Sequence, residues 1–126
     1  MYLSEQVSHH PPITAVECDS EHYQFVTNSD ATSSFRGTNV KLISASGYRV
    51  VLKQSQETVS FAKCTMTFNN LVIGTKWCDN HGNIDYKLRL PNGRVTATGF
   101  LEFKECGMFG GNQYEVVGWV KDETGR

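Results

Sequence analysis

Apolar and polar residues alternate along much of the chain, most regularly over residues 83–90. The even-numbered residues of that stretch are Ile, Tyr, Leu and Leu, whereas the odd-numbered ones are Asn, Asp, Lys and Arg. Such a period of two predicts a β-strand with one apolar and one charged face. Residues 71–77 show a similar alternation and predict another strand. Four further segments are rich in β-branched and aromatic residues and also predict strands: 48–53, 57–66, 94–103 and 113–121.

Turn-forming residues separate these stretches. Pro91-Asn92-Gly93 contains the Asn-Gly pair typical of tight hairpins, and Ser46-Gly47, residues 79–82 and residues 107–111 interrupt the chain at similar intervals. Strands of ~6–10 residues joined by short turns indicate an all-β fold, an antiparallel meander of about eight or nine strands. A sheet with one apolar face can curl into a barrel, pack against a second sheet or hold a lipid-like ligand. The periodicity leaves these three arrangements open.

The composition of the chain argues against several classes of protein. Its 126 residues suffice for one domain with a modest core. The formal net charge of −1 gives no sequence-wide basic field for nucleic acid. No apolar run approaches the ~20 residues that span a bilayer, and the first residues lack the basic and apolar regions of a signal peptide. We therefore expect a cytoplasmic protein without nucleic-acid partners.

A metal or catalytic site is poorly supported by the sequence. Four scattered cysteines include no C-x-x-C pair, so we expect free thiols in a reducing compartment: Cys18, Cys64, Cys78 and Cys106. Cys78 and His81 have a spacing that can ligate zinc, but no second pair completes four ligands, and residues 79–82 are better explained as a surface turn. Ser8 beside His9 brings two triad residue types together without a nucleophile elbow. We expect no metal, no cofactor and no enzymatic activity.

The most informative segment is Glu5-Gln6-Val7-Ser8-His9-His10-Pro11-Pro12. Two histidines followed by two prolines are poor material for a regular element, because proline fixes its φ and donates no backbone N–H. We therefore expect a stiff, exposed stretch. In a regular strand His9 and His10 point to opposite faces, so a shared ligand requires the backbone to depart from β geometry. An imidazole titrates near pH ~6.5 in general, and a nearby phosphate favours its protonated form, which then donates charge-assisted hydrogen bonds to the phosphate oxygens.

This octet resembles a string that is nearly identical in the lipid-exchange domains of the oxysterol-binding protein family. Looser similarity continues through residues 33–37, 74–77 and 106–110. The resemblance covers nearly the whole chain, but only the central part of the family's domain. It implies a large, incompletely closed antiparallel β-barrel around a lipid tunnel. It also implies that His9 and His10 bind the 4-phosphate of phosphatidylinositol 4-phosphate at the tunnel mouth, with supporting roles for the other motif residues Glu5, Ser8, Pro11 and Pro12.

The same resemblance implies a function. The family exchanges phosphatidylinositol 4-phosphate against a sterol or phospholipid between membranes, which places the chain peripherally at organelle membranes and membrane contact sites. The family's lid and its C-terminal basic residues have no counterpart in this sequence. We therefore expect residues 1–126 to form a single domain that is the central part of a larger lipid-binding domain. The alternative is a truncated β scaffold that acts through protein contacts and transfers no lipid.

Overall fold

Antiparallel pairing accounts for every strand contact in the computed structural model, which describes residues 1–107 and 110–126. Within those ranges the chain contains no helix, and hence no helix long and apolar enough to cross a membrane. The prediction of an all-β antiparallel fold is confirmed, with more strands than expected. The eleven strands are β1 (Tyr2–His9), β2 (Pro12–Asp19), β3 (Tyr23–Ser29), β4 (Thr32–Arg36), β5 (Asn39–Ile43), β6 (Tyr48–Leu52), β7 (Thr58–Phe61), β8 (Thr65–Asn69), β9 (Trp77–Arg89), β10 (Val95–Phe103) and β11 (Val116–Asp122).

Strand β9 is the central strand of a forked sheet. Its residues 86–89 pair with β7 and its residues 77–81 pair with β8. From β7 the sheet continues through β6, β3 and β2 to β1, which we call the first arm. From β8 it continues through β5 to β4, which we call the second arm. Strand β10 pairs with residues 82–89 of β9, and β11 pairs with β10. The sheet is not closed, and the simple meander is interrupted where β3 pairs with β6 rather than β4.

Two predicted strands differ in the structure. Residues 57–66 form β7 and β8 with a break at 62–64, because the chain changes there from a β6 partner to a β5 partner. Residues 71–76 form a loop rather than a strand. Asn70 and Gly74 adopt positive φ of 59° and 93°, and the Asn70 side chain donates a hydrogen bond to the Thr75 carbonyl at 3.0 Å. The positive φ values and this hydrogen bond favour a loop, although the polarity of the residues alternates as in a strand.

The predicted chain breaks at Ser46-Gly47 and Pro91-Asn92-Gly93 are confirmed, whereas the turn predicted at residues 79–82 was wrong. Of the break predicted at residues 107–111, residues 108 and 109 lie outside the described residues. Gly93 adopts φ 85° in the hairpin between β9 and β10, as the Asn-Gly pair predicts. Residues 79–82 instead lie inside β9, and His81 is 7% exposed. The His81 Nε2 atom lies 3.0 Å from the Thr67 hydroxyl, and Asp79 accepts a hydrogen bond from the Cys106 backbone at 3.1 Å. Cross-strand partners therefore outweigh the turn tendency of this segment.

The prediction that the four cysteines are free thiols agrees with the structure, which has no disulfide among the described residues. Of the looser family similarity at 106–110, Met108 and Phe109 lie outside the described residues.

The two faces of the first arm differ in chemistry. Rings from four neighbouring strands lie in a row on one face, which we call the ladder face, with centroids 4.8 to 5.6 Å apart: Phe25, Tyr48, Phe61 and Tyr86. The opposite face, which we call the outer face, carries the charged residues of β9. Ile84 is the one apolar side chain that is buried among the described residues, at 6% exposure. A single sheet layer thus leaves both faces open.

Candidate functional site

The octet forms the tip of the hairpin between β1 and β2. His9 is the last residue of β1 and pairs with Pro12, the first residue of β2, while His10 and Pro11 make the turn. The expectation that this segment avoids regular structure was therefore wrong. The start of a strand tolerates proline, since the missing backbone donor there interrupts little of the ladder. The expectation of exposure holds, because both histidine side chains are exposed.

A β-bulge sets the direction of the His9 side chain. The register between β1 and β2 shifts between Gln6 and Ser8, so Val7 is an extra residue without a partner. Because of this extra residue, Gln6 and His9 share one face, although an odd spacing puts residues of a regular strand on opposite faces. His9 shares that face with Pro12 and, through the register, with the aromatic rings of the ladder face.

Gln6 orients the His9 ring. Its amide nitrogen donates to the Ser8 carbonyl at 3.1 Å and lies 3.3 Å from the His9 Nδ1 atom. Because a carbonyl oxygen only accepts, the contact with Ser8 identifies this atom as the nitrogen, and His9 Nδ1 is then the acceptor. The neutral ring carries its proton on Nε2, which points away from Gln6 and is free to donate to a ligand.

The two imidazoles lie beside each other. The ring centroids of His9 and His10 are 4.4 Å apart, with an angle of 55° between the ring planes. Among the described residues no carboxylate forms an ion pair with either ring. The bulge and the turn supply the departure from regular β geometry that a shared ligand requires. Two adjacent N–H donors without an acidic partner suit an anion.

The other motif residues have different positions. Glu5 pairs with Ala15, so its side chain lies on the outer face, opposite His9. Ser8 contributes its carbonyl to Gln6, and Pro11 and Pro12 build the turn and the strand start. Gln6 is the motif residue whose contact the sequence did not reveal, because that contact depends on the bulge at Val7.

A cavity of ≈ 400 Å³ opens at the fork between the two arms. Its volume lies in the range of small-ligand sites. Ser29 lines it and pairs with Thr14, two residues beyond Pro12, so the cavity and the histidine hairpin lie toward the same end of the sheet. Aromatic and aliphatic side chains supply most of the lining: Leu42, Tyr48, Phe61, Met66, Ile84 and Phe103.

Ser44, which lines this cavity, belongs to a cluster of polar residues. The Asp30 carboxylate accepts hydrogen bonds from the Ser44 hydroxyl and from the Ser46 hydroxyl and backbone, the latter two at 2.6 and 2.9 Å. These bonds, from Ser44 first, hold the pKa of Asp30 well below its usual range. They tie together the two segments by which the chain crosses between the arms.

Lys63 is a half-buried cation at the same place. Its ammonium donates to the Asn28 carbonyl and lies 4.9 Å from the centre of the Tyr48 ring. Burial lowers the pKa of Lys63, and the nearby Asp30 charge acts in the opposite direction. Neither Lys63 nor Asp30 could be assigned from the sequence, because their contacts join segments that are distant along the chain.

The family of the chain follows from comparison with known proteins. A family model described as "Oxysterol-binding protein" matches residues 1–126. The chain belongs to the oxysterol-binding protein family. Oxysterol-binding protein-related protein 3B of Arabidopsis thaliana is 31% identical over 94% of this chain and 25% of its own length. Related protein 1B of the same plant is 33% identical over 99% of this chain and 24% of its own length. The chain thus spans about a quarter of these curated relatives.

Solved structures of oxysterol-binding family domains share the fold. The Osh1 ORD domain in complex with ergosterol matches with a TM-score of 0.82 and 25% identity, covering 98% of this chain and 29% of that one. The Osh3 ORD of Saccharomyces cerevisiae in complex with PI(4)P has a TM-score of 0.64 and 16% identity, over 98% and 37% of the two chains. The resemblance and the predicted barrel-type fold are confirmed, with a sheet that is not closed.

Proposed function

We propose that this chain is the central part of a lipid-binding and lipid-transfer domain. His9 and His10 bind the phosphate of phosphatidylinositol 4-phosphate, and the ladder face accepts the apolar part of that lipid or of a sterol or phospholipid exchanged for it. The observation that carries the proposal is the position of two adjacent, exposed imidazoles beside an apolar face of the same sheet.

The histidine pair has the chemistry for a phosphate headgroup. A phosphomonoester carries a charge of roughly −1.5 to −2 near neutral pH, and it offers only acceptor oxygens. His9 presents Nε2–H while Gln6 occupies Nδ1, so a neutral His9 already donates one hydrogen bond. Protonation of Nδ1 requires the Gln6 amide to turn its oxygen toward the ring. Binding of a phosphate compensates for that rearrangement by charge-assisted hydrogen bonds.

The ladder face has the chemistry for the apolar part of a lipid. The row of rings continues to the cavity at the fork. Tyr48 and Phe61 belong to the ladder face and also line the cavity. Contact with an apolar ligand removes this surface from water, at roughly 25 cal/mol per Å² of buried area. The ergosterol complex of Osh1 and the PI(4)P complex of Osh3, two proteins with this fold, support ligands of these two classes here.

Transfer of a lipid between membranes involves no covalent step, so the proposal assigns no catalytic residue. It places the protein peripherally at the cytoplasmic surface of organelle membranes, as a carrier that exchanges its ligand there. It treats residues 1–126 as one structural unit within a larger lipid-binding domain.

Vesicle binding by histidine variants tests the headgroup assignment. Liposomes containing phosphatidylinositol 4-phosphate should bind the His9→Ala/His10→Ala variant at least about tenfold more weakly than the unmodified chain, because hydrogen bonds to charged groups contribute ~1.5–3 kcal/mol each. His22→Ala is the matched control, since His22 is also exposed and lies in a turn at the other end of β2. Equal binding by all three proteins would rule out this role for the pair.

A second measurement separates phosphate recognition from general lipid binding. When phosphatidylinositol replaces phosphatidylinositol 4-phosphate in the liposomes, all three proteins should bind them equally. If the double variant still binds liposomes with phosphatidylinositol 4-phosphate more tightly than liposomes with phosphatidylinositol, the phosphate site lies elsewhere in the chain.

A further inference from the structure

The outer face of the first arm carries a cluster of cations on two strands, β6 and β9, which flank β7. Arg49 of β6 pairs with Ser60 of β7, and Ser60 pairs with Lys87 of β9. Neighbouring strands lie ~4.8 Å apart, so Arg49 and Lys87 flank the Ser60 side chain on the same face. Arg89 follows two residues after Lys87 on that face, and its guanidinium donates to the Ser60 hydroxyl at 2.8 Å.

These cations lack acidic partners. They line a shallow depression of ≈ 480 Å³ in which Asp85 supplies the one carboxylate, so three positive charges and one negative charge leave a net charge of +2. The three ion pairs found among the described residues involve Lys53, Arg94 and Lys104, and none includes Arg49, Lys87 or Arg89. The depression is therefore rich in hydrogen-bond donors that have no charged acceptor.

Such a cluster is unfavourable for the fold alone. Like charges on one face of a sheet repel each other, and the net charge of −1 for the whole chain shows that a general excess of cations does not explain the cluster. The Ser60 hydroxyl accepts from Arg89 and keeps its own hydrogen free to donate. Arginine forks and lysine ammonium groups around a hydroxyl donor match the acceptor oxygens of a phosphate.

We propose that Arg49, Ser60, Lys87 and Arg89 form a second phosphate-binding site, on the face of the sheet opposite His9 and His10. The ligand is a phosphate ester or diphosphate, either free in solution or in the headgroups of a membrane. The pairing continues from Lys87 through Thr98 to Lys121, which extends the site toward a second phosphate group. This site is separate from the proposed headgroup site and does not depend on it.

Binding experiments in a His9→Ala/His10→Ala background remove the histidine pair from the measurement. Pyrophosphate binding is followed by titration calorimetry, and association with phosphatidylcholine vesicles is compared with and without phosphatidic acid. Arg49→Gln/Lys87→Gln removes two cations of the cluster. Arg36→Gln/Lys76→Gln is the matched control, because it removes the same charge from exposed positions outside the first arm. Circular dichroism verifies that each variant is folded.

The cluster variant should weaken pyrophosphate binding about tenfold, because it removes two cations that pair with the ligand, while the control variant should retain that binding. A loss confined to pyrophosphate identifies a soluble ligand, and a loss confined to phosphatidic acid vesicles identifies a membrane headgroup. Equal losses in the two variants, or no binding of either probe by the background protein, would overturn the proposal.

Discussion

At the scale of single residues, the side chains that organise the site are polar and act through contacts distant in sequence. Asp30 links Ser44 and Ser46 at the crossing between the arms, and Gln6 fixes the His9 ring. The exposure of the histidine pair could be predicted, because two prolines follow it, while its role in binding a ligand stays a prediction. The contact of Gln6 could not, because it depends on a bulge at Val7 that no local sequence preference specifies.

The hydrogen bonds of Asp30 predict a pH-dependent contribution to stability. Its native pKa lies below the ~3.9 of an unfolded aspartate. The stabilisation is therefore complete above pH ~4 and is lost as the pH falls through the lowered native pKa. We expect Asp30→Asn to lower the melting temperature at pH 7 and to differ less from the unmodified chain below pH ~4.

Thermal melts followed by circular dichroism between pH 3 and 7, values chosen to bracket the ordinary range of aspartate, measure this difference. Glu21→Gln is the control, because Glu21 is exposed and forms none of the ion pairs found among the described residues. A difference between Asp30→Asn and the unmodified chain that is the same at all pH values would contradict the assignment.

At the scale of elements, the fork explains which strands could be predicted. Residues 83–90 keep one set of partners and show clean alternation, so the strand was predicted correctly. Residues 57–66 show an equally strand-like pattern, yet they change partner strands between β7 and β8. Such a change of partner does not alter the local periodicity of the sequence. Residues 71–76 alternate in polarity but form a loop, in which Asn70 and Gly74 adopt positive φ and the Asn70 side chain donates to the Thr75 carbonyl.

The crossing into β6 predicts a requirement for glycine at position 47. A Cβ atom there would lie 2.5 Å from the Phe61 carbonyl oxygen, which belongs to the backbone of the adjacent strand. We expect Gly47→Ala to lower the free energy of unfolding by about 1–3 kcal/mol, the usual cost of overpacking. Chemical denaturation measures this change.

Gly111→Ala is the matched control, since a Cβ at Gly111 meets no atom of the described residues within 4 Å. It should leave stability unchanged or raise it slightly. Comparable losses in the two variants would show that chain flexibility, and not the contact with Phe61, explains the effect.

At the scale of the whole molecule, the sheet has one layer and a small core. Ile84 is the buried apolar side chain of the described residues, and the rings of the ladder face are half-buried. The fold class could be predicted from the alternation and the turns. The open sheet could not be predicted, because alternation with a period of two indicates that one face is apolar but does not indicate what covers that face.

This open apolar face predicts dye binding by the folded chain. We expect 1-anilinonaphthalene-8-sulfonate to fluoresce on addition of the 126-residue protein, and a sterol or phospholipid that occupies the ladder face should displace it. Phe61→Ser should reduce the fluorescence, because Phe61 contacts both neighbouring rings of the ladder. Ile73→Ser, in an exposed loop, should leave it unchanged. Equal fluorescence from both variants would show that the dye does not bind the ladder face, and the proposed lipid surface would then lie outside that face.

Strand β9 carries both surfaces at once. Its even-numbered residues supply the ladder face, and its odd-numbered residues Lys87 and Arg89 supply the cation cluster. One inserted or deleted residue after Gly82 would exchange the two faces of all that follows in the strand. Such a change would remove an aromatic ring and two cations from their surfaces together, a loss greater than that of any single substitution in β9. The length of this strand is therefore under stricter constraint than the identity of its individual side chains.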